Sequence, residues 1–229
     1  MKRLNERYNG IELNDTDSEI VGILNCLIAS NNIKNYVEHY IGFGNIIGNI
    51  QCDVKYGISN NNYIVELMNY LKNGGDIPSN ISLGDFEDVK ANFLCKSKTY
   101  NDWYYGLIGF MVSGLDSCKP FGSRYIVQSE LTKCYEKTIS SIDNHRTYLD
   151  NTDFIFGTVD SISSELKDAL IYFKIPKCSK AKLGEILDKL KRLSANNIVI
   201  IRAEQEYKEF ELLWKEHDKN EKAVRLYRV

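Results

Sequence analysis

The chain has little of what would give its function away. Lys plus Arg total 29 against 31 Asp plus Glu, a net charge of −2 over 229 residues. That balance has neither the basic excess of a nucleic-acid binder nor the acidic excess of a DNA mimic. No run of about 18 apolar residues is present, which excludes a membrane helix. The opening stretch MKRLNERYNGIELNDTD has no apolar core, so no secretory signal is expected. Three prolines leave few rigid breaks. None of the six cysteines (26, 52, 95, 118, 134, 178) stands in a CxxC pair, which excludes zinc-ribbon and thioredoxin designs. Free thiols in a reducing cytoplasm are the simplest expectation. His39, His145 and His217 have no metal-like spacing, so no metal site is expected.

What is present is globular. Apolar residues make up 43% and charged residues 26%, enough for a core without staples. Ile20, Ile23, Leu24, Leu27 and Ile28 share one helical face, with Asp17 or Ser18 near the cap. Residues 35–41 are β-branched and aromatic and stop at Gly42, the pattern of a short strand. Helices are predicted over 63–71, 85–94 and 128–142, with Asn73-Gly74-Gly75 closing the first. Strands are predicted over 153–157, 169–173, 198–201 and 223–229, and helices over 183–193 and 206–214. This alternation predicts an α/β fold with a largely parallel sheet covered by helices, and a helical insertion at about 76–145 in a single 1–229 domain.

Gly42-Phe43-Gly44-Asn45 follows the first predicted strand. Such a turn either lets backbone approach a nucleotide-like ligand at the carboxyl edge or simply needs positive φ. The segment 174–192 holds seven basic and two acidic residues, Lys174, Lys177, Lys180 and Lys182 among them. It reads as a solvated helix face or as a contact for phosphate or an acidic protein. Trp103-Tyr104-Tyr105 reads as a base-stacking run or as helix packing.

Several motifs then converge. Residues 35–45, NYVEHYIGFGN, are similar to "YVEPFxGGGN"; Tyr8-Asn9-Gly10 to "Y-x-G-S-K"; 57–64 to "GxDINxYLI". Leu71-Lys72-Asn73-Gly74 with Pro78 resembles "LxNGxxPP", Gly106–Phe110 with Phe121-Gly122 resembles "xGFVGF…WFGG", and 200–214 resembles "VFISEYxAPxxFxxxW". In this order they resemble Dam-type adenine-N6 DNA methyltransferases, especially short phage and prophage forms. The resemblance implies a Rossmann-like methyltransferase sheet with helices on both faces, and target recognition in the insertion.

It also exposes departures. The family's catalytic D-P-P-Y falls on Lys174-Ile175-Pro176-Lys177. A charged lysine offers only donors, whereas the family's Asp accepts from the adenine amino group, and Lys177 has no ring to stack on a flipped base. The position that implies a ribose-binding acid is Ser59, and the family's Ser-Lys is Ile11-Glu12. Glu38, Gly42 and Gly44 remain of the donor pocket, with Asp53 a shifted alternative to Ser59. The expectation is a catalytically inactive, methyltransferase-like protein, without cofactor unless its S-adenosylmethionine pocket survives. It would bind a host defence nuclease, an active methyltransferase or DNA in a bacterial cytoplasm, as an anti-restriction or anti-CRISPR factor. Two alternatives stand: a working adenine-N6 methyltransferase, or the non-catalytic subunit of one.

Overall fold

The computed structural model describes residues 14–113, 120–121, 127–176, 178–217 and 223–229, without the side chains of 144 and 145. The motif residues at 8–12, Gly122, Lys177 and the His145 side chain lie outside the described residues. Seven strands form one sheet in the order β3-β2-β1-β4-β5-β7-β6. They are β1 (Asn35–His39), β2 (Val54–Ser59), β3 (Thr152–Phe156), β4 (Ala169–Lys174), β5 (Ile198–Ala203), β6 (Glu211–His217) and β7 (Ala223–Arg228). β3 through β5 run parallel; β7 is antiparallel to both β5 and β6.

Alternation along the central strands divides the core into two layers. Tyr36, Leu170, Tyr172 and Ile200 face one side, packed with α1 (Asp15–Ser30), α2 (Asn62–Lys72) and the helices between α2 and β3. Val37, Ile171, Phe173, Val199 and Ile201 face the other, packed on Ile186, Leu190 and Leu193 of α6 (Lys180–Leu193). Strands buried on both faces read as continuous apolar runs, which is why ALIYF and IVII are so dense.

Between α2 and β3 lie α3 (Leu83–Leu94), α4 (Asp102–Tyr105), a π-helical stretch (Gly106–Val112) and α5 (Gln128–Tyr148). Ser82 and Asp85 form a reciprocal capping box that starts α3. Rings fill this layer: Tyr63, Phe93, Tyr105 and Phe110 lie within 6.4 Å between centroids of neighbouring rings. Gly106 packs onto the Tyr63 carbonyl, an approach any side chain would block. Trp103 stacks on Tyr70 at 3.8 Å, so the aromatic run serves packing.

Two features differ from the sequence expectation. β2 is not evident in the sequence: VKYGIS mixes a lysine and a glycine into the strand, and both have structural reasons. Lys55 is buried and donates to the carbonyls of Ile47 (3.3 Å) and Tyr148 (3.1 Å). A Cβ on Gly57 would come within 2.9 Å of Ile41 and Phe154. The predicted helix at 206–214 is instead a turn leading into β6, an edge strand, where Trp214 Nε1 donates to Glu19 at 3.0 Å. Its apolar spacing fits the helical period, but pairing with β7 determines its structure.

Candidate active site at the carboxyl edge of the sheet

The strand order reverses direction between β1 and β4, leaving a crevice beyond their carboxyl ends. There β1 gives way to an abrupt turn. Tyr40, Gly42 and Gly44 all have positive φ (66°, 52° and 77°). The turn is closed by Gly44 N–H donating to the Ile41 carbonyl and Gly48 N–H to the Gly44 carbonyl, each at 2.8 Å. Asn25 of α1 anchors the far end of this loop: its Nδ2 donates to the Asn49 carbonyl (3.1 Å), and its Oδ1 accepts from Gln51 N–H (2.8 Å). The glycines therefore satisfy backbone need first. A Cβ on Gly44 would lie 3.3 Å from Leu149, so packing also favours glycine there. Only a three-residue 3₁₀ turn, Ile47–Asn49, connects this loop toward β2. The full helix whose N-terminus would cradle a phosphate in a dinucleotide fold is missing from this crossover.

Glu38 is 3% exposed and, in register, stands between Gly57 of β2 and Tyr172 of β4. The Tyr36 hydroxyl donates to its carboxylate at 3.1 Å. Burial pushes Glu38 up to about 8, outweighing that bond, so it carries a proton at neutral pH. Arg202 of β5 lies in the same layer but is committed elsewhere: its guanidinium pairs with Asp17 of α1 at 2.7 Å and interacts with the Tyr172 hydroxyl. Ser59 is buried at the end of β2, its hydroxyl oxygen accepting from Asn61 N–H at 3.2 Å. That bond leaves the Ser59 O–H able to donate to a ligand oxygen. Asp53, the shifted alternative, lies before the start of β2, at the opposite edge, and pairs with Lys34 at 3.2 Å.

His39 occupies the opposite face from Glu38. It is 1% exposed, stacked on Phe173 at 4.5 Å with Tyr40 edge-on at 4.2 Å. Neither ring nitrogen has a hydrogen-bond partner, and burial pulls its pKa down to about 4. Lys174 ends β4 exposed, and Pro176 follows half-buried. Lys180 and Lys182 are exposed on the first turn of α6, capped by Ser179. Glu38, Gly42, Gly44, Ser59 and Lys174 thus gather at one edge of the sheet, with the basic turn of α6 following β4. Arg202 and Asp17, which pair in the same layer as Glu38, give no signal in the sequence because they are 185 residues apart.

Among the described residues no cluster of His, Cys, Asp and Glu could hold a metal, and no helix is long and apolar enough to cross a membrane. Cys26, Cys95, Cys134 and Cys178 are exposed and Cys52 is half-buried, all as free thiols.

The parallel run, its reversal at β1/β4 and the antiparallel β7 inserted beside β5 define a Rossmann-like methyltransferase fold with helices on both faces. Among solved structures the chain is similar to the N-methyltransferase NodS from Bradyrhizobium japonicum WM9, at 7% identity over 94% of this chain and 97% of that one, TM-score 0.44. It is also similar to magnesium protoporphyrin IX methyltransferase ChlM from Synechocystis PCC 6803, solved with S-adenosylmethionine, at 9% identity over 98% and 88%, TM-score 0.38. No family profile matches the chain, and no curated protein matches it.

Proposed function

We propose that the carboxyl edge of β1 and β2 binds S-adenosylmethionine, and that the protein is a methyltransferase-fold domain retaining its donor site. The observation carrying this reading is the placement of Glu38, the Gly42–Gly44 turn and Ser59 together where the strand order reverses. Glu38 would face the cationic methionine end, and the Ser59 hydroxyl would donate to a ribose oxygen. Bound, the group supplies an activated methyl. The resemblance to adenine-N6 enzymes extends the proposal to a DNA adenine acceptor.

Equilibrium dialysis with labelled S-adenosylmethionine tests the donor reading. Gly44→Val should lose most binding, since the Cβ would strain a φ of 77° and press Leu149. Gly184→Ala, on an open face of α6, should bind as the parent does. Equal binding by all three proteins would refute the site.

A second reading has its own observation. Lys174, at the end of β4, offers no acceptor for an adenine amino group. We propose on that ground that transfer to adenine is lost and that the exposed Lys174, Lys180 and Lys182 contact an acidic partner: DNA, a host defence nuclease or an active methyltransferase. Neutralising all three should weaken DNA binding and flatten its salt dependence. An active methyl-transfer assay on DNA would overturn this second reading and leave the donor site standing.

A further inference from the structure

We infer that Glu38 exchanges its proton for a cationic group of the ligand, so that donor binding at this edge releases a proton to solvent. This rests on the donor-site reading above and adds a charge rule to it. Glu38 is the one buried carboxyl among the described residues, and its hydrogen-bond partner is a neutral phenol, Tyr36 of the same strand. The cations nearest in the surrounding elements, Lys174 and Arg202, favour its charged form, but less than burial opposes it. Arg202 of β5 is paired with Asp17 at 2.7 Å. Lys55 of β2 donates to two backbone carbonyls, and Lys174 of β4 is exposed to water. Asp17 of α1 is negative and opposes ionisation of Glu38, while Tyr172 of β4 is a buried neutral phenol.

A buried carboxyl without a cation keeps its proton, because an uncompensated charge in an apolar layer is costly. Its protonation at neutral pH agrees with this geometry. An ammonium or sulfonium brought to the crevice supplies the missing charge. The O–H bond of Glu38 breaks, its electron pair stays on the carboxylate beside the ligand cation, and the proton leaves to buffer. A neutral or anionic ligand would leave the proton in place.

Calorimetric titration of the full chain with S-adenosylmethionine at pH 7, in two buffers of different ionisation enthalpy, reads the proton directly. The expected result is release of about one proton per ligand, with affinity rising by up to about tenfold per pH unit below pH 8 and levelling above it. Glu38→Gln should bind with heats independent of buffer. Tyr36→Phe removes the bond that favours the charged carboxylate, so its levelling should move to higher pH. It also serves if Glu38→Gln fails to fold. Binding with buffer-independent heat and a flat pH profile in the parent would overturn this inference alone. No binding in either buffer would overturn the donor reading, and this inference with it.

Discussion

His39 and Glu38 are adjacent in sequence and point to opposite faces of β1, where the sheet buries both. Their charges make stability depend on pH in opposite directions. His39 is held neutral in the fold down to about pH 4, while an unfolded imidazole protonates near 6.5. The unfolded state therefore binds the extra proton between those values, and stability falls as pH drops through that window. The loss approaches about 3 kcal/mol at its acid end. His39→Phe should keep the stack on Phe173, remove two buried ring nitrogens that have no partners, and abolish that acid slope in urea melts from pH 4 to 6.5. A slope unchanged by the substitution would show that His39 is not the titrating group. Glu38 acts the other way: the fold holds its proton up to about pH 8, so its contribution declines as pH rises from 4.5 toward 8. Glu38→Gln should flatten that decline. Both residues are legible in the sequence, since the YVEH and GFG patterns place them at the end of a strand. Their environments are not, because burial and the Asp17–Arg202 pair depend on α1 and β5 converging across 185 residues.

The elements legible in the sequence are those whose periodicity comes from a buried face. α1, α2 and α6 follow it, and so do β4 and β5, whose apolar runs reflect burial from both sides. Element ends differ by a few residues where caps decide them: Asn14, not Asp17 or Ser18, caps α1 by accepting from Asp17 N–H. β2 and β6 escape because they break pattern rules, the first through a buried lysine and a close-packed glycine, the second through exposure at the sheet edge. Cap and propensity arguments predict specific changes here. Ser82→Ala removes one half of the capping box of α3 and should cost about 1 kcal/mol in a denaturant titration. Gly184→Ala in α6 meets nothing within 4 Å and should stabilise by about 0.5–1 kcal/mol, raising the midpoint. A midpoint lowered by Gly184→Ala would mean that the open face of α6 is in fact packed.

For the molecule as a whole, the strand-order reversal and the site lie at one edge, and the chemistry there is asymmetric. The β1–β2 side carries a buried acid, a left-handed glycine turn and a hydroxyl; the β4–α6 side carries the exposed lysines Lys174, Lys180 and Lys182. Donor binding and acceptor chemistry are separable properties, and donor binding is the one proposed first. Calorimetric titration of the purified chain with S-adenosylmethionine measures it most directly. Saturable one-site binding in the micromolar range, about −8 kcal/mol, with a raised melting temperature, is the predicted result. No heat of binding and an unmoved melting temperature would contradict it.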